Sequence, residues 1–487
     1  MKILWLDINC SYVHASLALP ALHAQCGDVE AEWEVVSATL SVSMGALVAQ
    51  IVDHQPDIIA GTAWLFTHDY LLNTIARTKA LLPDCTVVLG GPEFLGENEM
   101  YLRHHPEIDA VFRGEGEEVF PEWLKMAVNQ GEWTSVTGCC FIDGSGKYRD
   151  GGLARVMDFA ALKSPEESRF FNWSKPFVQL ETTRGCFSNC AFCVSGAEKP
   201  VRTIPLETVR KRIENIHAHG IREIRLLDRT FNGDTRRAIG LIKIFQEFSD
   251  MRFHLEMHPA LLPGELRKLL VDLPHNLLHL EAGIQSLREP VLKACKRAGN
   301  LDDALGGLQF LCGLKNMETH ADLIVGLPLY TLEQIFEDVR SLASFEAGEI
   351  QLELLKVLPG TDLRRNAEKM RLIYSPMPPY EILKTNEMSV AEIQSGRLLS
   401  RLLDFYYNAR AWQKITRQLI VEQPDFLVSF LSWMRNGERL DQPLSVEKRG
   451  LLLFEFIVKF YSEYSAAMAE AWENAGLTLR KIEQFRK

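Results

Sequence analysis

The sequence predicts an α/β protein in three parts. These are a doubly wound parallel sheet, a second set of six β/α units, and an all-helical carboxyl-terminal domain. Three observations predict this. Short apolar runs alternate with amphipathic helical runs over residues 1–135. The same alternation restarts at 176 and runs to 365. Over 366–487 apolar residues recur only at helical spacing.

In the first part, strands are expected at 3–8, 33–38, 57–63, 86–90 and 109–113, with helices at 68–82 and 117–128. Alternating strands and helices imply a parallel sheet covered on both faces. Ligands of such sheets sit beyond the carboxyl ends of the strands. The segments that leave those ends carry Asn9 and His14, Thr62 and Trp64, Gly90 and Gly91, and Gly114 and Glu115. Each segment alone reads as a turn; together on one edge they read as the rim of a ligand site. Residues 136–175 read as a hairpin around Asp143-Gly-Ser-Gly146 followed by a polar linker.

In the second part, strands are expected at 177–181, 223–227, 252–256, 277–283, 320–325 and 351–357. Helices fit between them at 206–217, 236–248, 301–313 and 331–345. Six units fall short of a full eight-unit barrel. In the third part, helical spacing at 391–407, 425–433 and 450–461 marks aromatic-rich helices. Their aromatics suit a core, and the helices are expected to shape a substrate pocket.

The 487 residues suffice for about three domains. A formal charge of −11 argues against a general nucleic-acid binder. No apolar run reaches membrane-spanning length. The start of the chain reads as a first strand rather than a signal peptide. Ten cysteines without a disulfide-scaffold pattern fit a reducing, cytoplasmic setting.

Three of those cysteines carry the chemistry. Cys186, Cys190 and Cys193 stand in Glu181-Thr-Thr-Arg-Gly-Cys-Phe-Ser-Asn-Cys-Ala-Phe-Cys193, a C-x3-C-x2-C loop. Thiolates are soft ligands suited to iron–sulfur clusters. Zinc would want a fourth ligand at ribbon spacing, and none is present. Three ligands on a four-iron cluster leave one iron open to an exogenous group.

The loop, with Arg184-Gly185 before it and Phe192 inside it, resembles that of the radical S-adenosylmethionine (SAM) superfamily. The resemblance implies a partial (β/α)6, TIM-like barrel around a [4Fe-4S] cluster. It implies that the amino and carboxylate groups of SAM chelate the open iron. Reductive cleavage would then give methionine and a 5′-deoxyadenosyl radical. An electron donor such as flavodoxin or ferredoxin is implied as a partner.

Further along, Glu256 ends a strand in Leu255-Glu-Met-His-Pro259, Gln285 stands in Gly-Ile-Gln-Ser286, Arg297 follows it, and Asp322 opens Asp-Leu-Ile-Val-Gly-Leu-Pro328. This series resembles the radical SAM class that includes the oxygen-independent coproporphyrinogen oxidases. The resemblance gives Glu256, Gln285, Arg297 and Asp322 contacts to SAM and Phe192 a backbone contact to adenine. One departure is the segment Leu226-Leu-Asp-Arg-Thr-Phe-Asn232, where many members carry Gly-Gly-Glu. Asp228, Thr230 or Asn232 could supply a polar contact there, or Asp228 could pair with Arg229.

A doubly wound domain ahead of such a barrel resembles the cobalamin-binding class. The histidine motif that ligates cobalt, Asp-x-His-x-x-Gly, is missing, so no histidine ligand from that motif is expected. An open cobalt face favours methyl transfer to an unactivated carbon of a small-molecule or peptide substrate. The alternatives are rearrangement, cyclisation or methylthiolation, a radical SAM enzyme without cobalamin, and a non-catalytic iron–sulfur protein. Methylthiolation would call for further cluster cysteines, for which only the scattered Cys10, Cys26 and Cys85 are available.

Overall fold

The computed structural model describes all residues other than His14, Gln130, Glu438, Asp441, Leu479, Arg480 and 483–487. The first sheet holds seven strands: β1 (Lys2–Asn9), β2 (Glu32–Thr39), β3 (Ile58–Thr62), β4 (Thr86–Gly90), β5 (Ala110–Phe112), β6 (Cys139–Ile142) and β7 (Tyr148–Asp150). Their order is β2-β1-β3-β4-β5-β6-β7, parallel through β5 and antiparallel beyond it. The order of the first five is the flavodoxin-like winding, whose crevice opens where β1 and β3 diverge. Strand β1 shows why the sheet is buried on both sides. Its Leu4, Leu6 and Ile8 enter one core, while Ile3 and Trp5 enter the other.

Helices α1 (Ala18–Gln25), α2 (Met44–His54), α3 (His68–Leu81), α4 (Glu99–His104) and α5 (Val119–Val128) connect the parallel strands and cover the sheet. The hairpin expected over 136–150 is β6–β7, and it extends this same sheet. The polar segment after it crosses to the barrel, carrying an Arg212–Glu166 ion pair at 2.9 Å.

The second sheet has order β15-β14-β13-β12-β11-β8, with parallel pairing throughout. Its strands are β8 (Val178–Leu180), β11 (Glu223–Leu226), β12 (Arg252–Met257), β13 (Leu278–Gln285), β14 (Glu318–Val325) and β15 (Glu349–Leu354). Between β8 and β11, a two-stranded ladder of β9 (Thr183–Arg184) and β10 (Arg202–Thr203) clasps the base of the cysteine loop. The helices are α6 (Leu206–Ala218), α7 (Thr235–Gln246), α8 (Gly264–Val271), α9 (Glu289–Ala294), α10 (Leu301–Gly313), α11 (Leu332–Ser344) and the short α12 (Asp362–Arg365). Strand β13 alternates buried and half-buried residues along its whole length, so one face enters the outer core and the other lines the barrel interior.

The last part is not wholly helical. A small antiparallel pair, β16 (Ile373–Tyr374) and β17 (Ile382–Lys384), precedes α13 (Val390–Leu402), α14 (Gln413–Glu422), α15 (Phe426–Asn436), α16 (Val446–Phe460) and α17 (Ser465–Asn474). Strands of two and three residues leave no periodic signal in the sequence. Phe426, Phe430 and Phe456 pack together, as do Trp412 and Trp472. A π-helical turn, Leu403–Tyr407, ends α13. There Tyr407 donates to the Ala347 carbonyl at 2.7 Å, and Asn408 bonds both backbone groups of Ile350 at 3.0 Å. These contacts dock the helices on β15.

Candidate active site between the sheet and the barrel

The cysteine loop leaves β8 over the carboxyl ends of the barrel strands. Gly185 holds a φ of +96°, and a Cβ there would sit 2.4 Å from the Glu198 carbonyl, so glycine lets the loop fold back on itself. Cys186 N–H donates to that carbonyl at 3.2 Å, and Ala191 N–H donates to Cys295 O at 2.8 Å. The Ser188 hydroxyl lies 3.1 Å from Cys190 Sγ. Thr230 Oγ1 lies 3.6 Å from Cys186 Sγ.

A cavity of about 730 Å³ opens beside the loop. Its wall brings together Cys186, Cys190, Cys193, Phe192, Glu256, Gln285, Arg297 and Asp322, all the residues to which the resemblance gives a cluster or SAM contact. Gly283 makes this convergence possible. A Cβ there would meet Gln285 Nε2 at 2.5 Å, with Arg297 Nη2 at 3.7 Å and Asp322 Oδ2 at 3.8 Å. Gln285 itself takes a left-handed φ of +72° after an irregular step in the β13–β14 register. Arg297 donates to the Gly283 carbonyl and reaches Cys190 Sγ at 3.6 Å.

The site is acidic. Burial and the neighbouring Glu281 carboxylate push Glu256 up to about 7. Burial, then Glu281 and Glu256, push Asp322 well above the ordinary carboxylate range. Glu281 stays low because His254 bonds it. The buried Asp322 Oδ1 has no partner within the chain, as expected of a group that awaits a ligand.

The donor set fits the expected cofactors. Three thiols line one cavity with Arg297, which reaches one of them, and an unsatisfied Asp322 oxygen. No three His, Cys, Asp or Glu side chains among the described residues converge on one ion's position. A cubane asks for no such point, because its ligands sit on separate irons. A structural zinc site would need one.

Two residues of the departing segment are structural. Asp228 does not pair with Arg229; it accepts from Thr182 N at 2.7 Å, Thr183 N at 2.9 Å and the Thr182 hydroxyl. Asn232 bridges the backbones of His258 and Leu261. Thr230 remains in the cavity wall. Arg229 also lines the cavity, as do Glu281 and His258, which the sequence did not single out. The signal for Glu281 was its place four residues before Gln285 on one strand, hence on the same face.

A second cavity, about 1260 Å³, lies at the carboxyl edge of the first sheet and faces the barrel. Thr62, Trp64, Gly90, Gly91, Gly114 and Glu115 line it as expected. Trp5, Val88 and Phe112 supply an apolar floor. Gly91 at φ +112° lets the chain pass Thr62, whose Cγ2 would stand 2.8 Å from a Cβ. Asn9 is outside this wall and hydrogen-bonds Asp7 instead. His14 lies outside the described residues. Glu115 is not free to meet a ligand: Arg202 grips it with both guanidinium nitrogens at 2.6 and 2.7 Å, and Val156 N–H donates at 2.7 Å. Burial alone would raise Glu115, yet these bonds and the Arg184 charge hold it below the ordinary carboxylate range.

Arg229 belongs to both walls, so the cavities adjoin there. The residues lining either cavity all precede 323, so the carboxyl-terminal helices contribute to neither wall. Cys26 and Cys85 pack in cores on opposite faces of the first sheet, and Cys10 is exposed. They do not assemble a second thiolate site. None of the described helices is long and apolar enough to cross a membrane.

Comparison with known proteins agrees with this geometry. Residues 6–124 match the B12 binding domain, 180–342 the radical SAM superfamily, and 368–475 a protein family of unknown function, DUF4080. The chain is 26% identical over 330 residues to the uncharacterized methyltransferase PH0819 of Pyrococcus horikoshii, covering 65% of this chain and 70% of that one. It is 24% identical over 385 residues to the cobalamin-dependent radical SAM methyltransferase TokK of Streptomyces tokunonensis, covering 69% of this chain but only 53% of TokK. The fold resembles that of TsrM from Kitasatospora setae, a radical SAM methyltransferase solved with cobalamin and a [4Fe-4S] cluster. Its TM-score is 0.64 at 17% identity, over 80% of each chain. It also resembles OxsB, a cobalamin-dependent radical enzyme, with TM-score 0.68 at 13% identity over 98% of this chain and 81% of OxsB. The two domain matches imply a [4Fe-4S] cluster, SAM and cobalamin as cofactors. The chain thus carries a radical SAM domain over residues 180–342, with a B12-binding domain ahead of it over 6–124.

Proposed function

We propose that this enzyme transfers the methyl group of SAM, by way of cobalamin, to an unactivated carbon of a small-molecule or peptide substrate. The observation that carries the reading is the shared wall at Arg229, which sets the two cofactor cavities side by side. When bound, the cluster supplies the electron that cleaves SAM, and cobalamin carries the methyl group.

The chain's own residues bind and orient. Arg297 and Gln285 fix the polar end of SAM, with Glu256 and Asp322 toward its sugar and amine. Phe192 offers backbone to the adenine. Trp64 and the Gly90-Gly91 turn border the corrin. Methylthiolation would call for three further cluster cysteines together, whereas Cys26 and Cys85 lie in separate cores and Cys10 is exposed. A flavodoxin or ferredoxin supplies electrons, and the ten free cysteines suit the cytoplasm.

The test is anaerobic reconstitution with iron, sulfide and hydroxocobalamin, followed by desalting. Retained corrin absorbance supports the reading. A protein that keeps its cluster and cleaves SAM but sheds all corrin belongs instead with radical SAM enzymes whose first domain binds something else.

A further inference from the structure

The barrel interior carries a second polar system, below the SAM cavity, which none of the roles above uses. His254 on β12, His279 on β13 and His320 on β14 each lie two residues before Glu256, Glu281 and Asp322 respectively, so they face the same interior one step lower. They touch in series. His254 Nε2 stands 3.1 Å from Glu281 Oε2, and His254 Nδ1 stands 3.2 Å from His279 Nδ1. His279 Nε2 then stands 2.7 Å from His320 Nε2, which also lies 3.0 Å from Glu349 Oε2. At the top, Glu281 adjoins Asp322 in the wall of the SAM cavity. At the bottom, Glu349 is 33% exposed.

One tautomer set satisfies every link: His254 donates to Glu281, His279 to His254, and His320 to His279. The reversed set, with Glu281 protonated, satisfies the same three links. With Nδ1 of His320 protonated in both, the two differ by one proton shifted along each bond: His320 is neutral in the reversed set and an imidazolium beside Glu349 in the first. The nitrogens do not converge on a metal, since His279 uses opposite edges of its ring for its two neighbours. Burial, then His320 and His254, hold His279 down to about 3, and Arg252 and Arg225 add to this from the lower mouth. Burial and then His254 lower His320 too, against the acids Glu281 and Glu318. His279 is therefore neutral at pH 7, and its ring is both donor and acceptor.

We propose that His254, His279 and His320 form a proton wire between the buried Glu281–Asp322 pair and solvent at Glu349. Its task is to carry off the proton that the SAM α-ammonium must lose before its nitrogen can ligate iron. This rests on the assignment of the upper cavity to SAM. The balance is simple. The ammonium N–H bond breaks and its proton joins the Asp322–Glu281 pair. Glu281 passes a proton to His254, His254 to His279, and His279 to His320. His320 gives one to Glu349, which releases it to water. Nothing is oxidised or reduced.

The experiment mixes reconstituted anaerobic holoenzyme with SAM at about pH 6.5, where an α-amino group with an ordinary value of about 7.7–8.0 is almost wholly protonated. A pH-indicator dye in stopped flow reads proton release, and calorimetry reads SAM affinity. In His279→Gln, which keeps a donor and an acceptor but cannot relay, release should slow at least about tenfold while affinity holds. Glu349→Gln, at the exposed mouth, should slow it too and gives a second variant should the first misfold. Release at the wild-type rate in a folded variant that binds SAM overturns the wire. Stoichiometric zinc in the purified protein, lost in His279→Gln, overturns it in favour of a metal site. Failure of the wild-type holoenzyme to bind SAM overturns the underlying site assignment instead.

Discussion

Arg202 and Glu115 form a two-pronged ion pair, Nη2 to Oε1 at 2.6 Å and Nη1 to Oε2 at 2.7 Å, that joins the first sheet to the ladder beneath the cysteine loop. With Arg184 held between Glu117 and Glu181 at 2.8 and 2.7 Å, it fixes how the two cofactor cavities face each other. Both pairs are largely buried, where removing one partner strands the other.

Glu115→Gln should therefore lower stability by about 3 kcal/mol at pH 7, read by urea unfolding. The acid limb gives the sign. Glu115 is held below its unfolded value of about 4.3, so its contribution is present above that value and fades as pH falls through the lower folded value. The variant should lose this part of the acid dependence. Equal slopes below pH 4.3 in the two proteins would count against the assignment.

Glu256 should behave in the opposite way. Its folded value is raised to about 7, so the apo-protein favours the protonated form and loses stability as pH climbs from about 4.3 through 7. Glu256→Gln should leave stability near wild type at pH 5 and raise it by on the order of 2 kcal/mol at pH 8, allowing for partial exposure. The same variant should weaken SAM binding. Unfolding curves at the two pH values decide the first point and calorimetry the second.

Replacing Cys186, Cys190 or Cys193 with alanine should leave an intact fold that holds almost no iron after anaerobic reconstitution, against about four irons per wild-type chain. Iron and sulfide assay with Mössbauer spectroscopy reads this. A full cluster in any single variant would mean that another residue ligates.

Gly91→Ala should both strain the chain and crowd the sheet-edge cavity. At φ +112°, with Thr62 Cγ2 2.8 Å from the new Cβ, the cost should be about 1–3 kcal/mol. Corrin retained after desalting should fall to background. Retention at the wild-type level would remove this turn from the cobalamin site.

What could be read from the sequence had a period or a spacing. The strands of both sheets declared themselves through alternation, and Cys186, Cys190, Cys193, Gln285 and Asp322 through local motifs at strand ends. Contacts between distant segments had no such mark. Glu115 looked like a rim residue because its partner Arg202 lies 87 positions away. Asp228 looked available because Thr182 and Thr183, which occupy it, belong to another strand's exit. The histidines at 254, 279 and 320 are single residues on three strands, and only the register of those strands sets them in a row. Nothing periodic marked where the helices beyond 366 would dock; Tyr407 and Asn408 seat them on Ala347 and Ile350 at β15.

The pairing of β5 with β6 bears on how the amino-terminal unit can be handled alone. A fragment cut at residue 135 would strip the β6–β7 hairpin and leave the edge of β5 bare, and with it the bridge from Gly114 to Ala154. An open apolar edge invites sticking to other chains. A polypeptide meant to take up corrin by itself should run past residue 156, keeping Val156 N–H on Glu115.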